Sequence, residues 1–512
     1  MRSSFVLEEE APVRLVEKAS VPNRWTEFAH FSQRERGLVL LSEESLHLPA
    51  LTVPREPVLW MRCLRGLPEI SKHGISVEIW CRFDGGEARL LVKQHLMNDE
   101  PAASAWEMLV DLPLAAGQMV ELELRCEGGK RGFFHRADRL GLLGLVVCAR
   151  EDLPLTRARS HHAWRLKNEI AHFQNVYSGD FYKDRHRDRG ADLPLMQPIR
   201  PLPPSKPAQE AVLGLRDALA SRLSSILAQP GENAFNYAMR VLGTVIPAQA
   251  PDFPGRLQAL AGKRAGGRLR MLALCAGEAA VEGQILAAAA VPVELCIVDV
   301  NAELLERAAL QMPSGVIVDR VLGDANDIGP QLGHFDVICI TSGLHHLVEL
   351  EKVLSAIAMS LTQDGEFWLI GEQVGRNGNR LWPEALDLAN QIFATWPAEK
   401  RINRHTGVRD EVIPDTDFSA SCFEGIRSED ITDQLARYFL PVNCYLRNAF
   451  LWRLVDVSYA ANFDLENADD RALIIQAVVE EAILWAQGSR GTEMHAVYRS
   501  KWAGLSGMVN SP

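Results

Sequence analysis

Between about residues 25 and 150, short apolar or alternating runs recur at intervals of roughly ten residues, with Gly, Pro and Asp between them. Ile75-Ser-Val-Glu-Ile-Trp-Cys-Arg-Phe and Met119-Val-Glu-Leu-Glu-Leu-Arg-Cys alternate with period two, as half-buried strands do. Val58-Leu-Trp-Met-Arg-Cys and Leu142-Leu-Gly-Leu-Val-Val-Cys are more continuously apolar. The spacing predicts an antiparallel β-sandwich over residues 1–155. Residues 156–230 form a connector. It comprises a helical stretch around Ser160–Phe173, a basic-aromatic stretch to Arg189 that contains Phe181 and Tyr182, and an extended segment with six prolines from Pro194 to Pro207. Amphipathic helices are expected at 208–228 and 233–245.

From Arg268 the period changes. Strands are expected at 269–275, 294–299, 316–322, 335–340 and 366–371, and helices at 280–290, 301–311 and 347–361. Alternation of this kind implies a parallel sheet with right-handed crossovers. Further helices follow, with a last strand at His495–Arg499. The chain is thus expected to be multidomain, with the sandwich followed by an α/β Rossmann-like domain over 231–512 that carries extra helices.

At 512 residues the chain exceeds one ordinary core, and 47% apolar with 23% charged content is that of a globular protein. The formal charge, 54 − 66 = −12, argues against a general polyanion binder such as a nucleic-acid protein. Nine scattered cysteines without a CxxC pair suggest buried reduced thiols and a cytoplasmic location. No apolar run is long enough to span a bilayer.

The candidate chemistry lies at the expected carboxyl ends of the α/β strands, where an open sheet of this kind binds a nucleoside. Gly277, in Leu272-Ala-Leu-Cys-Ala-Gly-Glu-Ala279, stands where the first strand turns into its helix, so a ligand can approach the backbone. Asp299 ends the second strand and can accept from ribose hydroxyls; it is equally suited to capping the helix that follows. Asp324 ends the third strand. It can accept from an adenine amine with Ala325 against the ring, or simply form an Asx turn. His345 and His346 follow the fourth strand, and Glu372 ends the fifth; each is a candidate general base. Metal binding is the weaker reading of the histidines, because no third ligand lies at convincing spacing.

Together these segments resemble the class I S-adenosylmethionine (SAM)-dependent methyltransferases. The resemblance covers about residues 265–375. It implies SAM held by Cys275, Ala276 and Gly277, by Asp299 and the adjacent Val300, by Asp324 and Ala325, and by Thr341. Cys275 and Ala279 stand where the family's first motif usually has glycine. The segment Gly371–Trp382, with Phe423-Glu-Gly-Ile-Arg427, resembles a bacterial subgroup associated with glycan or natural-product tailoring. That implies a polar small-molecule or glycan acceptor, methylated at oxygen and bound by Arg376, Asn377, Asn379, Arg380 and Tyr182. Phe173–Arg189 is a candidate lid. The alternative is a non-catalytic methyltransferase-like scaffold or carbohydrate-binding module, and the sandwich offers a surface for homo-oligomerisation.

Overall fold

The computed structural model describes residues 4–7, 14–16, 25–30, 33–41, 44–66, 75–83, 86–96, 106–128, 139–178, 209–245, 250–264, 267–329 and 333–502. The proline-rich segment 194–207 and both Phe181 and Tyr182 lie outside the described residues. The chain divides into two compact units, Met1–Asn168 with Ala420–Cys422, and Glu169–Ser419 with Phe423–Pro512.

The first unit holds strands β1 (Phe5–Val6), β2 (Arg14–Val16), β3 (Trp25–His30), β4 (Gln33–Leu41), β5 (Glu44–His47), β6 (Leu51–Thr52), β7 (Pro57–Gly66), β8 (Ile75–Phe83), β9 (Ala88–Leu96), β10 (Trp106–Asp111), β11 (Met119–Gly128) and β12 (Arg139–Ala149). They form two antiparallel sheets. One runs β10-β7-β12-β4-β3, with β1 beside β12. The other runs β2-β5-β11-β8-β9, with β6 beside β11. Alternation decides which side chains turn inward: Val120, Leu122, Leu124 and Cys126 of β11 are buried, while Glu121 and Glu127 are exposed. Leu59 and Met61 of one sheet and Val77 and Ile79 of the other belong to a single apolar core.

The second unit is built on a seven-stranded sheet. Its strands are β13 (Leu269–Leu274), β14 (Val293–Asp299), β15 (Ile317–Leu322), β16 (Phe335–Thr341), β17 (Leu361–Gln373), β18 (Phe439–Arg447) and β19 (Glu493–Ser500), in the order β15-β14-β13-β16-β17-β19-β18. The first five in that order are parallel. β19 runs antiparallel to β17, and β18 antiparallel to β19. β16 is buried from Phe335 to Ile340, as expected of a central strand covered on both faces. The helices Phe253–Lys263, Ala280–Ala289 and Ala302–Gln311 contribute to one core. Leu350–Ser360 and Ile431–Tyr438 contribute to another. A third cluster joins Ala234–Gly243, Pro383–Thr395 and Ala468–Ala486.

The observed strands and helices of residues 269–360 fall within a few residues of those predicted from periodicity. β18 is the exception, because only helices were expected after residue 430 besides the last strand. Its mostly exposed pattern and its Pro441 conceal a strand, and both are tolerated because it is the edge of the sheet. None of the nine cysteines, all of them among the described residues, is in a disulfide. Among the described residues, no helix is long and apolar enough to cross a membrane.

Candidate functional site

The strand order reverses between β13 and β16: the chain moves outward through β14 and β15, then returns to the other side of β13. The loops leaving neighbouring strands part at such a reversal, and a crevice opens at their carboxyl ends. Cys275–Ala279, Asp299, Asp324 and Thr341–His346 all lie at that edge.

The first loop is wound through three left-handed residues, Cys275 (φ 51°), Gly277 (φ 51°) and Ala279 (φ 48°). It is tied to β14 by Ala276 N donating to Val298 O at 3.2 Å and by Gly277 N donating to Asp299 Oδ2 at 2.8 Å. Gly343 approaches from β16, where an added Cβ would stand 2.6 Å from Cys275 Cβ. Asp299 Oδ1 accepts from Asn301 N at 2.8 Å. Burial raises the Asp299 carboxyl above its ordinary value, and the two N–H donors offset this only in part. Asp299 does not cap the helix that follows. Asn301 does, accepting from Glu303 N and Leu304 N, which leaves Asp299 with the first loop. Val300 follows it, half-buried.

Asp324 does form the Asx turn, accepting from Asn326 N and Nδ2, both at 2.8 Å. Ala325 is buried beside it. Thr341 reaches the same edge, but its hydroxyl donates to the buried carboxylate of Glu282.

On the β16–β17 side the sequence places two histidines and one glutamate, and the structure gathers more. Glu372 is fully buried. Its Oε2 accepts from Gly343 N (3.2 Å) and Leu344 N (2.9 Å), and its Oε1 accepts from His345 N (2.8 Å) and lies 2.7 Å from His345 Nδ1. Both oxygens are therefore committed to the loop, so Glu372 orients His345 and has no face turned to an acceptor. His346 Nδ1 lies against Glu169 Oε1. Glu169 Oε2 also accepts from Phe423 N at 2.9 Å, and the Phe173 ring stands 5.6 Å from the His346 ring. The two imidazoles are 4.2 Å apart, centroid to centroid.

Glu424 completes the group. Its Oε1 is 3.4 Å from His345 Nε2 and its Oε2 is 3.4 Å from His346 Nε2. Its backbone is fixed by its neighbours: Gly425 O accepts from Gly378 N at 2.8 Å, and Ile426 N donates to His345 O at 3.1 Å. Burial alone would lower the His345 imidazole, but Glu372 and Glu424 outweigh it and raise it to about 10. Burial alone would raise the Glu424 carboxyl, and the two imidazoles hold it well below the usual carboxylate range. Neither Glu424 nor Glu169 was a site candidate from sequence, although Glu424 stands in the Phe423–Arg427 segment singled out above. Each lies far along the chain from the histidines.

Of the four polar loop residues, Asn379 reaches this group, its Nδ2 donating to Glu424 Oε1 at 2.7 Å. Arg376 is held by Leu381 O and Asp415. Arg380 Nε donates to Asn377 O, and Asn377 exchanges bonds with Glu429. Those three secure the loop. Tyr182 lies outside the described residues.

Residues 272–365 match the family model described as a methyltransferase domain. No curated protein matches the chain by sequence. Among solved structures, a TehB-like SAM-dependent methyltransferase from Corynebacterium glutamicum is 14% identical over 48% of this chain and 87% of its own, with a TM-score of 0.24. The cyclopropane synthase MmaA2 from Mycobacterium tuberculosis is 13% identical over 48% and 83%, at 0.29. The plantazolicin methyltransferase BpumL, solved with S-adenosylhomocysteine (SAH), is 11% identical over 57% and 98%, at 0.26. Scores this low establish no common architecture for the whole chain.

Proposed function

We propose that the chain is a class I, SAM-dependent methyltransferase, a reading supported by the match of residues 272–365 to a methyltransferase domain, and that it methylates an oxygen of a polar small molecule or glycan. The residues at the sheet edge suit SAM. Cys275–Gly277 present backbone to the crevice, Asp299 ends β14 beside them, and Asp324 with Ala325 ends β15. Cys275–Gly277 would hold the methionine end, Asp299 and Val300 the ribose, and Asp324, Ala325 and Thr341 the remainder. When bound, SAM supplies an electrophilic methyl group on a sulfonium and leaves as SAH.

The observation that carries the oxygen reading is the cluster of buried His345 with half-buried His346 and Glu424 at the same edge. An alcohol must lose its proton as its bond to carbon forms, and positioning supplies much of the remaining rate. The cluster supplies polar groups for that proton. Glu372 and Glu169 orient the two rings, and Asn379 holds Glu424. The Phe173 ring, 5.6 Å from that of His346, begins the segment Phe173–Arg189 that we read as a candidate lid. We read the two N-terminal sheets as a β-sandwich because they share one core. It is a candidate site for glycan recognition and for pairing with a second copy. Beside the two compact units of the fold, we propose a functional division into 1–155, 156–230 and 231–512.

Calorimetric titration with SAM and SAH tests the first step. Asp299→Ala should weaken SAM roughly tenfold to a hundredfold, the worth of a charged hydrogen bond of about 1.5–3 kcal/mol. A folded wild type that ignores SAM would instead favour the non-catalytic scaffold. Transfer of labelled methyl to sugars and sugar nucleotides, with product mapped by NMR, tests the acceptor; methyl found on nitrogen or carbon would refute the oxygen reading.

A further inference from the structure

We propose that His345 Nε2, His346 Nε2 and the Glu424 carboxylate form a binding site for one divalent transition-metal ion of the Zn2+ or Mn2+ type. The acceptor part of this inference rests on the function proposed above; the site itself does not.

Three observations converge. First, the three ligand atoms lie within 4.8 Å of one another. Two ligands at ~2.0–2.2 Å from a tetrahedral ion are separated by roughly 3.4 Å. That is the separation of Glu424 Oε1 from His345 Nε2; His346 Nε2 stands equally far from the second oxygen, Oε2, so the carboxylate faces both rings. A charge-assisted hydrogen bond would be shorter, at about 2.7–2.9 Å.

Second, each ring turns its other nitrogen to a buried carboxylate: His345 Nδ1 to Glu372 at 2.7 Å, and His346 Nδ1 to Glu169. A histidine that ligates a metal through one nitrogen characteristically donates its other N–H to a carboxylate or carbonyl. That fixes the tautomer and leaves the ligating lone pair free. His345 makes this hydrogen bond to Glu372, His346 sets its Nδ1 in ion-pair contact with Glu169, and both Nε2 atoms are aimed at the same third residue.

Third, the carboxylates are themselves fixed. Glu372 accepts three backbone N–H groups, Glu169 accepts Phe423 N, and Glu424 accepts Asn379 Nδ2. A solvated cluster of charges would not require such support. Two imidazoles and one carboxylate favour Zn2+, Mn2+, Fe2+ or Co2+ over Mg2+ or Ca2+, which take oxygen donors.

Three protein ligands leave a coordination position open. An acceptor hydroxyl there becomes more acidic, because the cation stabilises the alkoxide. With the cluster engaged as ligands, its proton passes to solvent and not to the cluster, and the oxygen is held beside the crevice. No change of oxidation state is involved.

The test uses full-length, tag-free protein stripped of metal and titrated separately with Zn2+, Mn2+ and Mg2+. The Co2+ form is examined for ligand-field absorption. Wild type should bind one equivalent of Zn2+ and of Mn2+, and both more tightly than Mg2+. Glu424→Gln, shown by circular dichroism to be folded, should bind at least tenfold more weakly, and so should His346→Asn. The Co2+ spectrum should lack thiolate charge transfer. The proposal is overturned by folded wild type that binds no Zn2+ or Mn2+, by unchanged affinity in both variants, by preference for Mg2+, or by a thiolate signature. Asp299→Ala separates the two readings. It should lose SAM affinity and keep the metal, so a failure of either site leaves the other measured.

Discussion

Replacing Glu372 with Gln should open the loop that carries both histidines. The carboxylate receives four N–H donors, two on each oxygen: Gly343 N and Leu344 N on Oε2, His345 N and Nδ1 on Oε1. An amide has one oxygen, and either orientation points its NH2 at a pair of donors. Two buried donors then lose their acceptor, and no water replaces it, because the residue is fully buried. Each costs about 1–3 kcal/mol. Allowing for the longer Gly343 bond, the total is roughly 2–4 kcal/mol, which corresponds to ~30-fold to ~1,000-fold easier local opening. Hydrogen exchange of peptides spanning 341–349 reads this directly, with thermal unfolding alongside. Asp324→Asn is the control. Both of its bonds to Asn326 use Oδ1, which an amide retains, so its exchange should change less than about fivefold. Equal protection in wild type and Glu372→Gln would refute the assignment of Glu372 as the anchor of this loop.

Gly343→Ala should abolish SAM binding, because its Cβ would stand 2.6 Å from Cys275 Cβ; adding Cys275→Gly should restore part of it, and calorimetry of the single and double variants decides. Ala279→Gly should be near neutral in thermal unfolding. Relief of the left-handed conformation, worth about 1–2 kcal/mol, offsets the lost methyl burial, whereas Ala289→Gly within the same helix should cost about 1–2 kcal/mol. Glu493 is a pH-linked contact. Burial would raise its carboxyl, but Arg447 at 2.8 Å and His495 at 3.1 Å outweigh this and hold it well below its usual value. A lowered folded value contributes stability above the unfolded carboxyl value of about 4.5 and loses it as pH falls. Wild-type melting temperature should therefore drop more steeply with acidification below pH 4.5 than that of Glu493→Gln.

Much of the second unit was legible because its buried parallel strands are nearly continuous apolar runs separated by amphipathic helices. β13 and β16 declare themselves, and the residues at their carboxyl ends follow by counting. The Asp299 position was legible for the same reason, but its partner was not. Asp and Asn two residues apart are both good caps, and only the bond to Gly277 shows which one the helix uses. Glu424 and Glu169 were beyond local pattern altogether. Glu169 sits in a helix whose spacing reads as ordinary amphipathic packing. Glu424 sits in an irregular segment placed by Gly425, where a side chain would collide with Asn379 N at 2.4 Å. Long-range loop contacts of this kind have no period to detect. Tertiary context also pairs β18 with β19 in spite of Pro441.

The first loop shows how structure resolves an apparent defect in sequence. Cys275 and Ala279, where the resembled family usually has glycine, suggest a weakened turn, yet both adopt the left-handed conformation that glycine would take without cost. Ser342 (φ 47°) and Asn379 (φ 54°) do the same, so four of the eight non-glycine residues with positive φ among those described belong to the loops around this one edge. At about 1–2 kcal/mol each, their summed strain is of the order of the net stability of a domain. It persists because hydrogen bonds over-determine each position: Gly277 to Asp299, Ser342 Oγ to Gly371 O at 2.6 Å, and Asn379 to Glu424. Strain held this way concentrates where a protein does chemistry, since folding alone gains nothing from it. The same bonds that hold the strained residues also direct the first loop and the histidine loop to one edge. The two departures from glycine therefore count as evidence for a built site, not for a lost one.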